Sequence, residues 1–199
     1  MTGIGRFVAA AAVLSACLPF WTAPMAGADP NPDPLILSVE EVGAISANTG
    51  LVADPARDLR HPAGNHQLDA QYPPDCHALF NQDDAFTGVG PFRSVTYTGA
   101  ANRAITQAVG IYPSGIDAKS ALRTLATNLL SCANANVENL SFSLQVLDPT
   151  TVAVCFSQCS TLYRVSGPAL IGVTAERFGD SDRIATAVIQ QIAARAKTA

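Results

Sequence analysis

The sequence predicts an α+β domain in which an antiparallel β-sheet is packed with three or four helices and stapled by disulfides. Three observations carry that prediction. Segments of period-two and of helical periodicity follow one another as helix, strands, helix, strands, helix, an order that segregates helices from an antiparallel sheet. The linkers between successive strands are short and rich in Gly, Pro and Asp. Four cysteines, Cys76, Cys132, Cys155 and Cys159, lie beyond a secretory leader, and a leader implies an oxidising compartment in which thiols pair.

The leader is residues 1–28. Arg6 precedes an apolar run from Phe7 to Trp21, and Ala26-Gly27-Ala28 closes it as an A-x-A cleavage site. Pro19 and Pro24 break the run, so it is not read as a membrane span. Leu14-Ser15-Ala16-Cys17 has the form of a lipobox, and lipidation of Cys17 is the alternative. The apolar residues after Cys17 make a poor tether, so the soluble secreted form is favoured. Residues 29–35 read as an extended proline-rich linker, and residues 36–199 as one domain of ordinary size.

Ser38 and Glu41 form a capping box at the start of a first helix, with Val42 and Ile45 as its apolar stripe and Gly50 beyond its end. From Val52 to Asp75 the chain is polar and punctuated by five Pro or Gly residues, which predicts a long irregular connection. Cys76 opens a short helix that ends before Gly88. FRSVTYTGA alternates as a half-buried strand, and AITQAVGIYP follows as its antiparallel partner, with Ile105, Gln107, Val109 and Ile111 on one face. Ser114 caps a long helix whose stripe is Leu122, Leu125, Leu129 and Leu130. LSFSLQVLD, TVAVCFSQ, CSTLYRV and ALIGVTAE read as strands, and a last helix starts at Asp180 or Ser181 with Ile184, Val188 and Ile192 facing inwards.

Removing Arg6 from the 12 basic residues leaves 11 against 16 acidic, a mature charge of about −5 that argues against nucleic acid as a partner. His61 and His66 flank Pro62 and Gly64 and lack a ligand spacing, so they read as solvated loop residues and no metal or cofactor is expected. Asp83-Asp84 reads as solvated charge, because adjacent helical residues diverge. Ser114 lacks the glycine two positions earlier that a nucleophile elbow requires, since Tyr112 stands there.

Four cysteines allow three pairings, and sequence alone does not choose among them; chain order favours Cys76–Cys132 with Cys155–Cys159. The first would close a long loop, worth roughly 4 kcal/mol by loop-closure entropy. Residues four apart in a straight strand lie about 13 Å apart, so a Cys155–Cys159 bond requires Phe156–Gln158 to turn.

The first helix LILSVEEVGAI, PPDC, QAVGIYPSGIDA, the helix ending in Cys132, and CSTLYRV through GVTA resemble, in order and spacing, the PknH-like extracellular domain. This domain occurs in mycobacterial secreted proteins and lipoproteins and as the outer sensor region of certain receptor serine/threonine kinases. The resemblance spans most of the mature chain. It implies an α+β fold with two disulfides and an open cleft for an unidentified ligand, with Cys76 and Cys132 as the first pair. Cys159 resembles the family's third cysteine, whose usual partner would fall near Glu176; here Cys155 stands instead, and Leu129 replaces a frequent tryptophan.

The expected function is therefore a ligand-binding, sensor-like module of the cell envelope without its own output domain. Its partner would be a small molecule, a lipid or a cell-wall fragment, and membrane contact is expected only if Cys17 is lipidated. Arg93, Tyr97, Tyr163 and Arg164 are the polar and aromatic strand residues taken as candidate ligand contacts. An enzyme is not expected, because no nucleophile, base and orienter share a recognisable spacing; a secreted hydrolase or an adhesive envelope protein is the alternative.

Overall fold

The alternating segments form seven antiparallel strands in the computed structural model, which describes residues 31–198. These are β1 (Val52–Ala53), β2 (Phe92–Gly99), β3 (Arg103–Ile111), β4 (Ser143–Asp148), β5 (Thr151–Cys155), β6 (Thr161–Ser166) and β7 (Ala169–Glu176). They pair in the order β1-β2-β3-β7-β6-β5-β4 as one sheet. The leader, its cleavage site and Cys17 lie outside the described residues.

Helices cover both faces. α1 (Val39–Ser46) and α4 (Ser181–Arg195) lie on one, and α3 (Gly115–Asn134) lies on the other with a 3-10 helix at Pro74–Leu79 and the short α2 (Gln82–Ala85). The capping box at Ser38 is formed: the Glu41 N–H donates to Ser38 Oγ at 3.3 Å, and the Ser38 N–H donates to Glu41 Oε2 at 2.9 Å. Ser114 Oγ accepts from Ile116 and Asp117 N–H groups, each at 3.2 Å, as a helix cap does.

Period two sorts the residues of each strand between the faces. Ile105, Val109, Ile171 and Val173 point towards α1 and α4, where Ile184, Val188 and Ile192 are fully buried. Gln107 shares that apolar face and is also fully buried. It is satisfied by the main chain of Leu37, accepting from its N–H at 3.0 Å and donating to its carbonyl at 3.1 Å. The segment before α1 is thereby tied to the centre of the sheet.

The structure differs from expectation at four places. Asp33–Leu35, expected as extended linker, forms a 3-10 turn that delivers Leu35 into the core. The helix expected from Cys76 is broken at Asn81, whose backbone is extended and whose side chain is buried between two carboxylates. β1 adds a short edge strand inside the segment expected to be irregular. Leu130 is half-exposed. At about 100° per residue it lies on the flank of the arc occupied by Leu122, Leu125 and Leu129, and Ala118 completes the buried stripe in its place.

Candidate functional site

The α3 face of the sheet is arranged in rows. Phe92, Gly110, Leu170 and Val165 stand opposite one another across four strands, and their large side chains join the core beneath α3. In the next row Ser94, Ala108, Gly172, Tyr163 and Val152 are aligned. The row after that is Thr96, Thr106, Thr174, Thr161 and Val154. Side-chain bulk drops at Ala108 and Gly172, and a cleft of about 430 Å³ opens over these last two rows. A second cleft of about 360 Å³ continues it towards β2 and shares Phe80, Gln82 and Thr106 with the first.

Two walls bound the larger cleft. One is the segment Ala78–Gln82, in which Phe80 stacks on Tyr72 with centroids 4.9 Å apart. The Cys76–Cys132 disulfide fastens this segment to the last turn of α3. The other wall is the turn after β5, closed by the Cys155–Cys159 disulfide with its Cα atoms 3.9 Å apart. The chain doubles back there, with the Phe156 N–H donating to the Gln158 carbonyl at 3.2 Å. Phe156 is left 53% exposed at the rim, 5.6 Å from the ring of Phe142. Both disulfides thus fix a cleft wall.

The polar loop behind the first wall is held by side chains. His66 sits between Asp69 and Asp83, with Nδ1 2.8 Å from one carboxylate and Nε2 2.9 Å from the other. The Asp69 contact, then the Asp83 contact, raise its pKa above the usual 6.5, and the same bond holds the Asp69 carboxyl below its ordinary range. Asn81 Nδ2 donates to Asp69 and Asp84, each at 2.9 Å. His66, Asp83 and Asp84, read from sequence as solvated, keep solvent exposure and are also links of one network with Asp69 and Asn81. Gly64 packs into it, since a Cβ there would fall 2.5 Å from Asp83 Oδ1. Among the described residues no group of three or more metal-ligating side chains gathers, and the rings of His66 and His77 are engaged by carboxylates, Asn81 and main-chain carbonyls.

Of the four strand residues singled out from sequence, Tyr163 alone lines the larger cleft, where burial pushes its phenol up to about 12. Strand alternation sends the other three to the opposite face. Tyr97 is buried in the α1/α4 core and donates to the Leu37 carbonyl at 2.7 Å. Arg93 is engaged by Asp58 in a two-pronged pair, with Nη2 2.7 Å from Oδ2, and by Asp33 at 3.4 Å. Arg164 is next to Tyr163 and so faces away from it. The residues that sequence reading passed over are the four threonines. Each sits at the polar phase of its strand, but only the register aligns them.

The family described as the PknH-like extracellular domain matches residues 29–195. No curated protein matches the chain by sequence. Among solved structures, the chain is similar to the crystal structure of the extracellular domain of PknH from Mycobacterium tuberculosis. The TM-score is 0.61 at 14% identity, covering 84% of this chain and 95% of that one.

Proposed function

The chain belongs to the PknH-like extracellular domain family, and from that premise we propose that it is a secreted module which binds a small ligand in the cleft on the α3 face. The family is one of sensor-like extracellular domains; what is proposed is the occupant of the cleft and the route of export. The observation that supports binding is the cleft itself, about 430 Å³ with two aromatic rims and a polar floor, in the size range of small-molecule sites. Binding is favoured over hydrolysis because the rings of His66 and His77 face carboxylates, Asn81 and carbonyl oxygens, and neither is hydrogen-bonded to a serine. Thermal-shift screening of residues 29–199 against envelope lipids, cell-wall fragments and neutral glycans tests this. A ligand at a hundred times its Kd stabilises by about 2.7 kcal/mol, a shift of several degrees. Absence of a shift with every class would remove the proposal. Mass spectrometry of the mature N-terminus tests export: a start at Asp29 is expected, and an acylated Cys17 would place the module on the membrane instead.

A further inference from the structure

The chemistry of the cleft narrows what it accepts. Thr96, Thr106, Thr174 and Thr161 lie in one register row across four adjacent strands. Neighbouring strands are about 4.8 Å apart, so the row spans about 14 Å. The hydroxyls are joined in two pairs, Thr96 with Thr106 at 3.0 Å and Thr161 with Thr174 at 3.1 Å. A hydroxyl has one donor and two acceptor sites, so each pair retains a donor and acceptor sites; Thr106, Thr161 and Thr174 line the larger cleft, whereas Thr96 is buried at the end of the row.

The walls add a second, independent observation. Asn81 is 1% exposed and its Nδ2 is committed to two carboxylates, which leaves Oδ1 without a donor. Gln82 donates to Ser94 Oγ at 3.0 Å, and its Oε1 likewise has no partner. Both residues line the larger cleft, and their unpartnered oxygens lie beneath its surface, so that wall carries no spare donor from these amides. Charge is scarce: Glu176 is the single charged residue of the larger cleft and Arg57 of the smaller.

These features discriminate between ligand classes. An anion would meet Glu176 in the larger cleft, and Arg57, the cation of the smaller one, is already paired with Asp54 at 3.6 Å. An acyl chain would cover the hydroxyl row and the amides without bonding them, at the cost of burying unpaired polar groups. A molecule with hydroxyl edges and apolar C–H faces answers both the floor and the aromatic rims. We propose that the cleft takes a neutral oligosaccharide lying across the strands, with its hydroxyls on the threonine row and its ring faces against Phe80 and Phe156. This inference rests on the reading of the cleft as a ligand site.

The test is an NMR titration of the mature chain labelled at threonine methyls, using cellotetraose, maltotetraose and mannotetraose, with dihexanoyl phosphatidylcholine and inorganic phosphate as contrasting probes. Saturable shifts at the four threonines are expected with at least one tetrasaccharide. Thr161→Val combined with Thr174→Val removes both members of one hydroxyl pair, so no orphan is left and the unfolding midpoint should hold. Its affinity should fall about tenfold for two lost hydrogen bonds, and the corresponding double serine variant should restore it. If the phospholipid or phosphate moves cleft residues and no saccharide does, the cleft remains a ligand site and the saccharide assignment is overturned. If no probe moves them, both readings fall. Unchanged saccharide affinity in the double valine variant also overturns the assignment.

Discussion

The two faces of this sheet are made by the same strands and have opposite characters. Residues 105, 107, 109, 171 and 173 meet α1 and α4 in a closed apolar layer, with Gln107 paired to Leu37. Their neighbours 106, 108, 172 and 174 are Thr, Ala, Gly and Thr, and over them the helical layer stops. A two-faced sheet does not have to be filled on both sides. The side that carries stability lets the other present small and hydroxylic residues. On the covered face the helices are held by packing, whereas on the open face the walls are held by cross-links and a side-chain network.

The sharpest way to break that contrast is to cut the cross-link. Cys76→Ala with Cys132→Ala frees a loop with a sequence separation of 56, and a loss of about 4 kcal/mol in urea unfolding is expected. In the same variant, methyl and amide signals of residues 76–86 should lose dispersion while those of α4 keep theirs. Equal disturbance of both helical layers would show that the wall is no more dependent on its disulfide than the core is.

Packing should dominate on the other side. Ile171 is fully buried against α4, so Ile171→Ala should cost about 3 kcal/mol. Thr161→Val with Thr174→Val, on the facing phase, should stay within about 1 kcal/mol of the parent. Chemical denaturation of the two variants compares the faces directly; similar losses would mean that the open face is also structural.

These differences were unequally legible in the sequence. The fold class, the capping box at Ser38 and the inward stripe of α4 follow from local periodicity, and local interactions decide them. The cleft is set by register, which is a property of pairs of strands. In VTYTG, AITQA and GVTAE the threonines read as ordinary polar-phase residues until pairing aligns them. Tyr97 and Arg93 lie on the face away from the cleft, and Leu37, Asp58 and Asp33 arrive from distant segments to bury or engage them, which no local pattern in β2 reveals. His66 is solvent-exposed, as its loop position implies, but its engagement by Asp83, 17 residues away, has no local signal.

On the α3 face, Gly172 marks the boundary between the packed row and the cleft. A Cβ there would lie 3.1 Å from Tyr163 Cε1 and 3.2 Å from Phe86 Cζ, so the floor is low because two rings approach the backbone. Gly172→Val should destabilise by about 2 kcal/mol through overcrowding and should reduce ligand-induced thermal shifts more than the threonine variants do. A stable Gly172→Val protein with full binding would place the ligand away from this floor.

The smallest effect concerns the network behind the first wall, and its sign follows from the two shifted groups. His66 has its pKa raised by Asp69 and Asp83, so the stabilisation of the charged clamp is complete below the ordinary value of 6.5 and fades as pH rises through the elevated one. Asp69 has its pKa lowered by His66, so its share is present above 3.8 and fades as pH falls through the depressed value. Between those limits the loop should be at its most closed. His66 is solvent-exposed, so the change is local and global unfolding should scarcely register it. Hydrogen exchange of residues 61–83 should therefore show protection that is flat from about pH 5 to 6.5 and declines above it, while the β3–β7 amides show none of that dependence. His66→Gln should flatten the loop profile. An identical decline in that variant would assign the pH dependence to another group and leave the wall to its disulfide alone.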